Sequence, residues 1–356
     1  MEIGISSFGE VEPSHLAGRD HAAAQRMQEL LAMAKLADET GLDVLALGEH
    51  HRPDFIISAP EVILAAAAAI TTRIRLSSAV TVLSSVDPVR TFQNFATVDL
   101  ISNGRAEIIA GRGSFIESFP LFGQDLQDYD SLFIEKLQLL LNINDHEVVS
   151  WQGKHRAAIA DKGVYPRPVQ AKIPIWIGVG GTPASVIRAG QLGLPLTIAI
   201  LGGAPAQYVP FAELYRESAQ KAGHDLTQLQ LAINCHLHLA DTPEQARDEF
   251  FPPYSQLMNR IGRERGWSPM DRRHFDYLCG PQGPLLVGSP QQIIDKLIYQ
   301  YKLFNNTRFL AQLVIQGISH ESVLRSIELL GTEVAPAVRT ALGNSLPRAA
   351  VVAADL

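Results

Sequence analysis

The chain has 356 residues, 46% of them hydrophobic and 19% charged, with a formal net charge of −7 and two cysteines, Cys235 and Cys279. That is enough apolar sequence for a large packed core, while the acidic balance and the lack of a basic run argue against a nucleic-acid partner and the cysteine count against a disulfide scaffold. The first residues enter strand-like sequence directly, and the longest strongly apolar run, 62–70, is too short to cross a bilayer, so a soluble cytoplasmic protein with no membrane attachment is expected.

Short apolar runs then alternate with helical segments along the chain. Strand one covers 2–6 and is followed by a helix over about 21–40; strand two is "GLDVLALGEH", with an Ala-rich helix over 60–71. "RLSSAVTVL" reads as strand three, "DPVRTFQNFATVDLIS" as its helix and "RAEIIAG" as strand four. A helix over about 131–141 leads into an irregular stretch to Gln170, and strand five is "IPIWIGV", with its helix starting at Pro183. "PLTIAIL" is strand six, with a helix over about 205–222; "QLAINCHLHLA" is strand seven and "RFLAQLVIQG" strand eight, before a last helix over about 320–330. Eight strands joined by helical crossovers predict a (βα)8 barrel, one domain over 1–335 with a C-terminal extension over 336–356. The Gly- and Pro-containing segment between strands seven and eight, about 241–288, reads as an insertion over the barrel mouth.

Ligands of such barrels bind at the C-terminal strand ends, which here carry a polar set on otherwise apolar strands. Ser7 and Phe8 follow strand one, Glu49, His50 and His51 follow strand two, and Arg112 lies between two glycines after strand four. One of the adjacent histidines can face a pocket, since neighbours in extended chain point to opposite sides. Arg112 offers forked donors to a phosphate or carboxylate, or pairs with an acid such as Glu49 at the rim. After strand five, Gly178, Gly180 and Gly181 precede Thr182 and Pro183, a pattern that suits both a tight turn and a phosphate at a helix N-terminus. There is no G-x-G-x-x-G, so a single phosphate fits better than a dinucleotide. On strand seven, His236 and His238 share a face that points into the barrel. As metal ligands they would need partners that only Glu49 and His50 could supply, and no metal is expected.

"GEHHRPDF", "SSAVTVLSSVDPVRTFQNFATVDLISNGRAEIIAGRGS", "LFGQDLQDYDSLF", "GVGGTPASVIRAGQLGLPLTIAILGG" and "LLVGSPQQIIDKL" together resemble the bacterial luciferase-like flavin-dependent oxidoreductases, from strand one to about residue 332. The resemblance implies a (βα)8 barrel that takes reduced FMN from a separate NAD(P)H-dependent flavin reductase, or in some branches a deazaflavin coenzyme. It implies that Gly180, Gly181, Thr182 and Arg112 hold the phosphate and that His50 assists flavin–oxygen chemistry by proton transfer. It also implies a non-proline cis peptide at Ala79-Val80 under the ring. The cofactor-binding set carried over is Ser7, Ala79, Val80, Thr81, Arg112, Gly178, Val179, Gly180, Gly181, Thr182, Leu201 and Gly202, with Phe8, Glu49, His236, His238 and Trp267 as pocket candidates. Two departures bear on light emission and on phosphate affinity. Light-emitting chains can carry a reactive cysteine where this chain has Gly111, and they supply a second arginine where it has Tyr129-Asp130.

The implied activity is a non-luminescent monooxygenation of a small organic substrate through a C4a-(hydro)peroxide of FMN, with a segment such as 262–283 closing over it. The alternatives are a deazaflavin-dependent hydride transfer, a non-catalytic FMN-binding protein, and a metal-dependent hydrolase using His236 and His238. A homodimer through barrel helices is expected, the Ala-rich helix from Pro60 being the candidate.

Overall fold

The computed structural model describes residues 1–11, 21–113, 115–266, 268–313 and 315–343; Trp267 and the last part of the expected extension lie outside them. The N-terminal half runs β1 (Glu2–Ser7), α1 (His21–Glu39), β2 (Val44–Leu47), α2 (Pro60–Ile70), β3 (Arg75–Ser78), β4 (Thr81–Val82), α3 (Pro88–Ser102) and β5 (Ala106–Gly111). After α4 (Ser118–Leu121) and α5 (Tyr129–Asp145) come β6 (Val148–Trp151), β7 (Ile159–Gly163), β8 (Ile175–Val179), α6 (Pro183–Leu192), β9 (Leu196–Ala199) and α7 (Val209–Lys221). The chain ends with β10 (Leu231–Leu239), α8 (Pro243–Arg265), α9 (Arg272–Leu278), β11 (Leu286–Gly288), α10 (Pro290–Phe304), β12 (Arg308–Gln312), α11 (His320–Leu329) and α12 (Ala335–Ala341).

Parallel pairing runs in order through β1, β2, β3, β5, β8, β9, β10 and β12, and β12 returns to β1, so the sheet closes into the expected barrel. Val44, Ala46, Ile109, Trp176, Ala232 and Leu310 fill its interior, while the opposite strand faces pack on the helices. Its N-terminal end is plugged by charge. Arg308, fully buried beneath Trp176 at 4.3 Å from the ring centroid, bonds Glu107 through both terminal nitrogens at 2.7 and 3.1 Å and Glu2 at 2.7 Å. Arg75 also pairs with Glu107. With that end closed, the C-terminal end is left for a ligand. Among the described residues no helix is long and apolar enough to cross a membrane.

Several local readings change. Strand three is two pieces, interrupted at Ala79-Val80, whose peptide bond is cis. The stretch read as irregular holds the antiparallel hairpin β6–β7; its second strand, "IADKG", is almost wholly exposed and so carries no apolar alternation to find. The insertion after strand seven is helical: Thr242 caps α8 at Gln245 N, Pro243 opens it and Gly266 closes it at φ +70°. The internal Pro252-Pro253 disguises that helix in the sequence. Strand eight ends at Gln312, and the three-residue β11, too short to signal itself, pairs with the upper part of β10. Finally, α12 belongs to the barrel body rather than to an extension: it buries Val338 and ties Arg339 to Asp43 at 2.6 Å.

Candidate active site

The strand ends of β5 and β8 are neighbours in the barrel, and their loops build one corner together. The glycines divide the work. A Cβ on Gly178 would lie 2.5 Å from Val80 Cγ1, and one on Gly111 would lie 2.5 Å from Val80 Cγ2, so both glycines make room for Val80. Gly180 and Gly181 instead face open space, and Gly181 takes φ +151°. Thr182 is the N-cap residue of α6 but makes no side-chain cap bond; its Oγ1 accepts from Arg112 Nη2 at 2.8 Å. Among the described residues, nothing accepts from the backbone N–H of Gly180, Gly181, Thr182 or Ala184. Free N–H groups at a helix N-terminus beside a forked guanidinium are what a phosphate requires.

Arg112 is held from three sides: by Thr182, by an ion pair with Asp130, and by the Tyr129 ring, whose centroid lies 5.0 Å from its guanidinium carbon. Tyr129 is fixed in turn by donating its hydroxyl to Gly113 O at 2.6 Å. Glu49 is not the partner of Arg112. A second cation, unforeseen from sequence, sits close by. Arg188 of α6 stacks on Phe133 at 5.6 Å, and burial and then the Arg112 charge hold its pKa below the ordinary arginine value. Its spacing after Thr182 was the available signal, since helical side chains lean back toward the N-terminus.

Across Val80 from this corner lies an aromatic cage. The His50 ring sits 4.7 Å from Phe8, 4.4 Å from Phe55 and 5.1 Å from Phe115, centroid to centroid. Gly48 lets Phe8 cross, since a Cβ there would lie 2.2 Å from Phe8 Cδ1. Burial in this cage pushes the His50 imidazole down to about 4, against a smaller opposing pull from Asp54, and its Nε2 is buried with no partner. His50 is therefore neutral at pH 7, where its sequence position alone would leave it titrating. Phe55 and Phe115 carried no chemical signal in the sequence, being apolar residues in loops.

The alternation predicted for the histidine pair holds. His51 turns the other way, pairing with Glu49 Oε1 at 2.8 Å, while Glu49 Oε2 accepts from Val82 N at 2.8 Å. Glu49 thus fixes the chain on the far side of the cis bond. Thr81 bonds Ser78 and Ser7 bonds the Gly9 N–H, so both hydroxyls are used within their own loops. Val179 is buried, whereas Leu201 is part-exposed and Gly202 faces open space.

The strand-seven histidines part company. His236 lies on the inward face, two residues above Asn234, which bonds Ser6 Oγ at 2.9 Å. It packs edge-on against Tyr254 of α8 at 5.8 Å, its Nδ1 buried without a partner and its pKa pushed by burial down to about 4. His238 is taken up in structure: Nε2 pairs with Glu249 at 2.8 Å and Nδ1 faces Ser326 Oγ at 3.4 Å, which joins β10 to α8 and α11. Helix α8 then reaches the loop after β2, where Arg260 pairs with Asp54 at 2.8 Å. Among the described residues no group of three or more His, Cys, Asp or Glu side chains could hold a metal ion.

A flavin-type cofactor carrying a phosphate fits these residues. The open glycines and two arginines suit its phosphate, Val80 offers an apolar surface beside them, and His50 Nε2 and His236 Nδ1 are buried without partners.

The chain is similar to flavin-type enzymes of known structure and activity. The profile of the family described as luciferase-like monooxygenase matches residues 1–305. The 4-hydroxyprotoasukamycin monooxygenase of Streptomyces nodosus subsp. asukaensis is 25% identical over 347 residues, 93% of this chain and 91% of that one. Among solved structures, the monooxygenase RslO1 of Streptomyces bottropensis superposes with a TM-score of 0.81 at 25% identity, covering 94% of this chain and 99% of that one. The oxygenating constituent of 3,6-diketocamphane monooxygenase from Pseudomonas putida, solved in complex with FMN, shares the fold. It superposes with a TM-score of 0.77 at 22% identity, over 95% of this chain and 98% of that one.

Proposed function

Because this chain belongs to the luciferase-like monooxygenase family, we propose that it is a flavin-dependent monooxygenase, taking reduced FMN and O2 to oxygenate a small organic substrate without emitting light. The observation that carries this is the meeting of Arg112 with Thr182 at an open glycine turn, across Val80 from a desolvated His50. Bound reduced FMN would supply the electrons that activate O2. Around it, Arg112, Arg188 and the α6 N–H groups bind and orient the phosphate. Val80, wedged over Gly111 and Gly178, sets the floor. The phenylalanine cage excludes water, which protects oxygen chemistry from wasteful proton delivery. His50, neutral, offers one N–H and one lone pair and can pass a proton without holding a charge. The non-luminescent reading is supported by Gly111, which stands where light-emitting chains can carry a reactive cysteine and where a Cβ would strike Val80.

The reading includes a separate NAD(P)H-dependent flavin reductase as partner, a cytoplasmic setting, and a homodimer. The dimer is supported by exposed Val62 and Ile70 on α2 and by Leu100 and Ile101 on α3; sedimentation analysis tests it. The function is tested by anaerobic titration with reduced FMN and with a reduced deazaflavin, followed by rapid mixing with O2. Tighter binding of reduced FMN and a transient, oxygen-dependent absorbance are expected. Preference for the deazaflavin with no such transient would replace oxygenation by hydride transfer. Binding without turnover of any reductant or acceptor would leave a flavin carrier.

A further inference from the structure

We propose that Asp130 sets the specificity of the phosphate corner: it competes with the incoming phosphate for Arg112, so that the site binds a phosphorylated flavin little more tightly than the same flavin without its phosphate. The proposal rests on the flavin reading above and concerns which flavins that site accepts and how fast it lets them go.

The two partners of this ion pair are unequal. The Arg112 side chain is 18% exposed and is packed over Tyr129 and bonded to Thr182, whereas the Asp130 side chain is 70% exposed. Asp130 lies in the first turn of α5, where its charge is welcome to the helix with or without Arg112. It can therefore swing into water at little cost, since an ion pair this exposed is weak. Arg112 cannot move as freely. The carboxylate sits like a removable stand-in for an oxyanion on the guanidinium that also bonds Thr182 at the end of the glycine turn.

Charge decides the consequence. Arg112 and Arg188 bring two positive charges to the corner and Asp130 brings one negative charge, which lowers the Arg112 and Arg188 surplus to one. A phosphomonoester carries roughly −1.5 to −2 at neutral pH. Even displaced into solvent, Asp130 stays tethered a few ångströms from it. The repulsion between a dianion and one charge at about 5 Å in water-like surroundings amounts to about tenfold in affinity. Riboflavin, lacking the phosphate, is indifferent to Asp130. A corner built this way suits a reduced flavin that arrives and leaves with each turnover rather than one held permanently.

The test is anaerobic equilibrium titration of reduced FMN and reduced riboflavin, read by flavin absorbance, into the wild-type protein and Asp130→Asn, with dissociation of each flavin followed by stopped-flow displacement. Asn keeps the shape and the exposed position, so folding is not at risk. The expected result is a small FMN-over-riboflavin preference in the wild type. In Asp130→Asn, FMN should bind about tenfold tighter and leave about tenfold more slowly, with riboflavin unchanged. If Asp130→Asn binds both flavins as the wild type does, the ion pair is a bystander and this inference falls while the flavin reading stands. If both flavins gain equally, Asp130 acts on the fold rather than on phosphate, and the inference again falls alone. If neither protein binds either flavin, the flavin reading itself falls and takes this inference with it.

Discussion

His50 gives the sharpest test of the site, because its desolvation can be read as stability without any ligand. Its pKa lies near 4 in the folded chain, mainly through burial among Phe8, Phe55 and Phe115, against 6.5 for a free histidine. Between those values the unfolded chain binds a proton that the folded chain refuses, so stability is full above 6.5 and is lost as pH falls toward 4. A pH of 5 lies about 1.5 units below the unfolded pKa of 6.5, and at about 1.4 kcal/mol per unit the loss is about 2 kcal/mol. His236, also near 4, adds a loss of the same sign, and Glu10, whose buried carboxyl is pushed up to about 8, gains stability over the same range. These terms cancel when a variant is compared with wild type at each pH. His50→Phe fills the cage with a ring that cannot titrate, and His50→Gln keeps a hydrogen-bonding group that cannot titrate either. Each carries its own packing cost, the same at both pH values. Urea unfolding at pH 7.5 and pH 5 should show both variants gaining about 2 kcal/mol on wild type between the two conditions, roughly half a molar in midpoint for a chain this size. A difference from wild type that does not change with pH would mean that the cage does not keep His50 neutral, and the catalytic role drawn from that neutrality would go with it.

Three further outcomes follow from contacts already described. Gly111→Ala should cost about 2 kcal/mol by striking Val80, and Val80→Ala should relieve most of that, so a double-mutant cycle by urea unfolding should show coupling of at least about 1 kcal/mol; additive costs would mean that Val80 does not rest on that glycine. Asp38 accepts from the backbone N–H of Thr72, Arg73 and Ile74 at 2.7 to 2.9 Å, pinning α1 to the start of β3. Asp38→Ala should therefore lower stability by about 3 kcal/mol in thermal unfolding, and a loss below about 1 kcal/mol would place those donors elsewhere. Chelator treatment should leave turnover unchanged, because both ring nitrogens of His238 are engaged by Glu249 and Ser326; activity lost to chelator and restored by a divalent metal would revive the hydrolase alternative.

How much of this could be read from sequence depends on the kind of signal involved. The barrel was legible because short, mostly apolar strand runs alternate with helical segments eight times, which leaves few topologies open. The glycine turn, Arg112 and His50 were legible as glycine-rich and polar groups at strand ends. What Gly178 does was not: it belongs to the turn by sequence but serves Val80, a residue nearly a hundred positions away, and no local pattern carries that contact. The cage was hidden for a similar reason, since Phe55 and Phe115 become chemical only by surrounding a histidine. His238 misleads in the opposite direction. Its alternation with His236 is plain in the sequence, but β10 runs on past the barrel rim to pair with β11, so the second histidine meets helices instead of the mouth.

The order of strands around the barrel also fixes how the two halves of the site can cooperate. Arg112 and Thr182 come from β5 and β8, which are adjacent, so the anion corner needs no long-range closure to form. His50 follows β2, and β3 and β4 lie between, with Val80 in the break that separates them. A ligand anchored at the corner and reaching the histidine must therefore cross Val80, the one side chain for which both Gly111 and Gly178 give way. The two ends of that path differ in kind. The corner is charged and partly exposed at Asp130, whereas burial among the phenylalanines holds the His50 pKa down to about 4. On the proposed reading, the exchangeable charge at one end and the desolvated group at the other would let an anion bind and leave through water while the histidine end stays shielded.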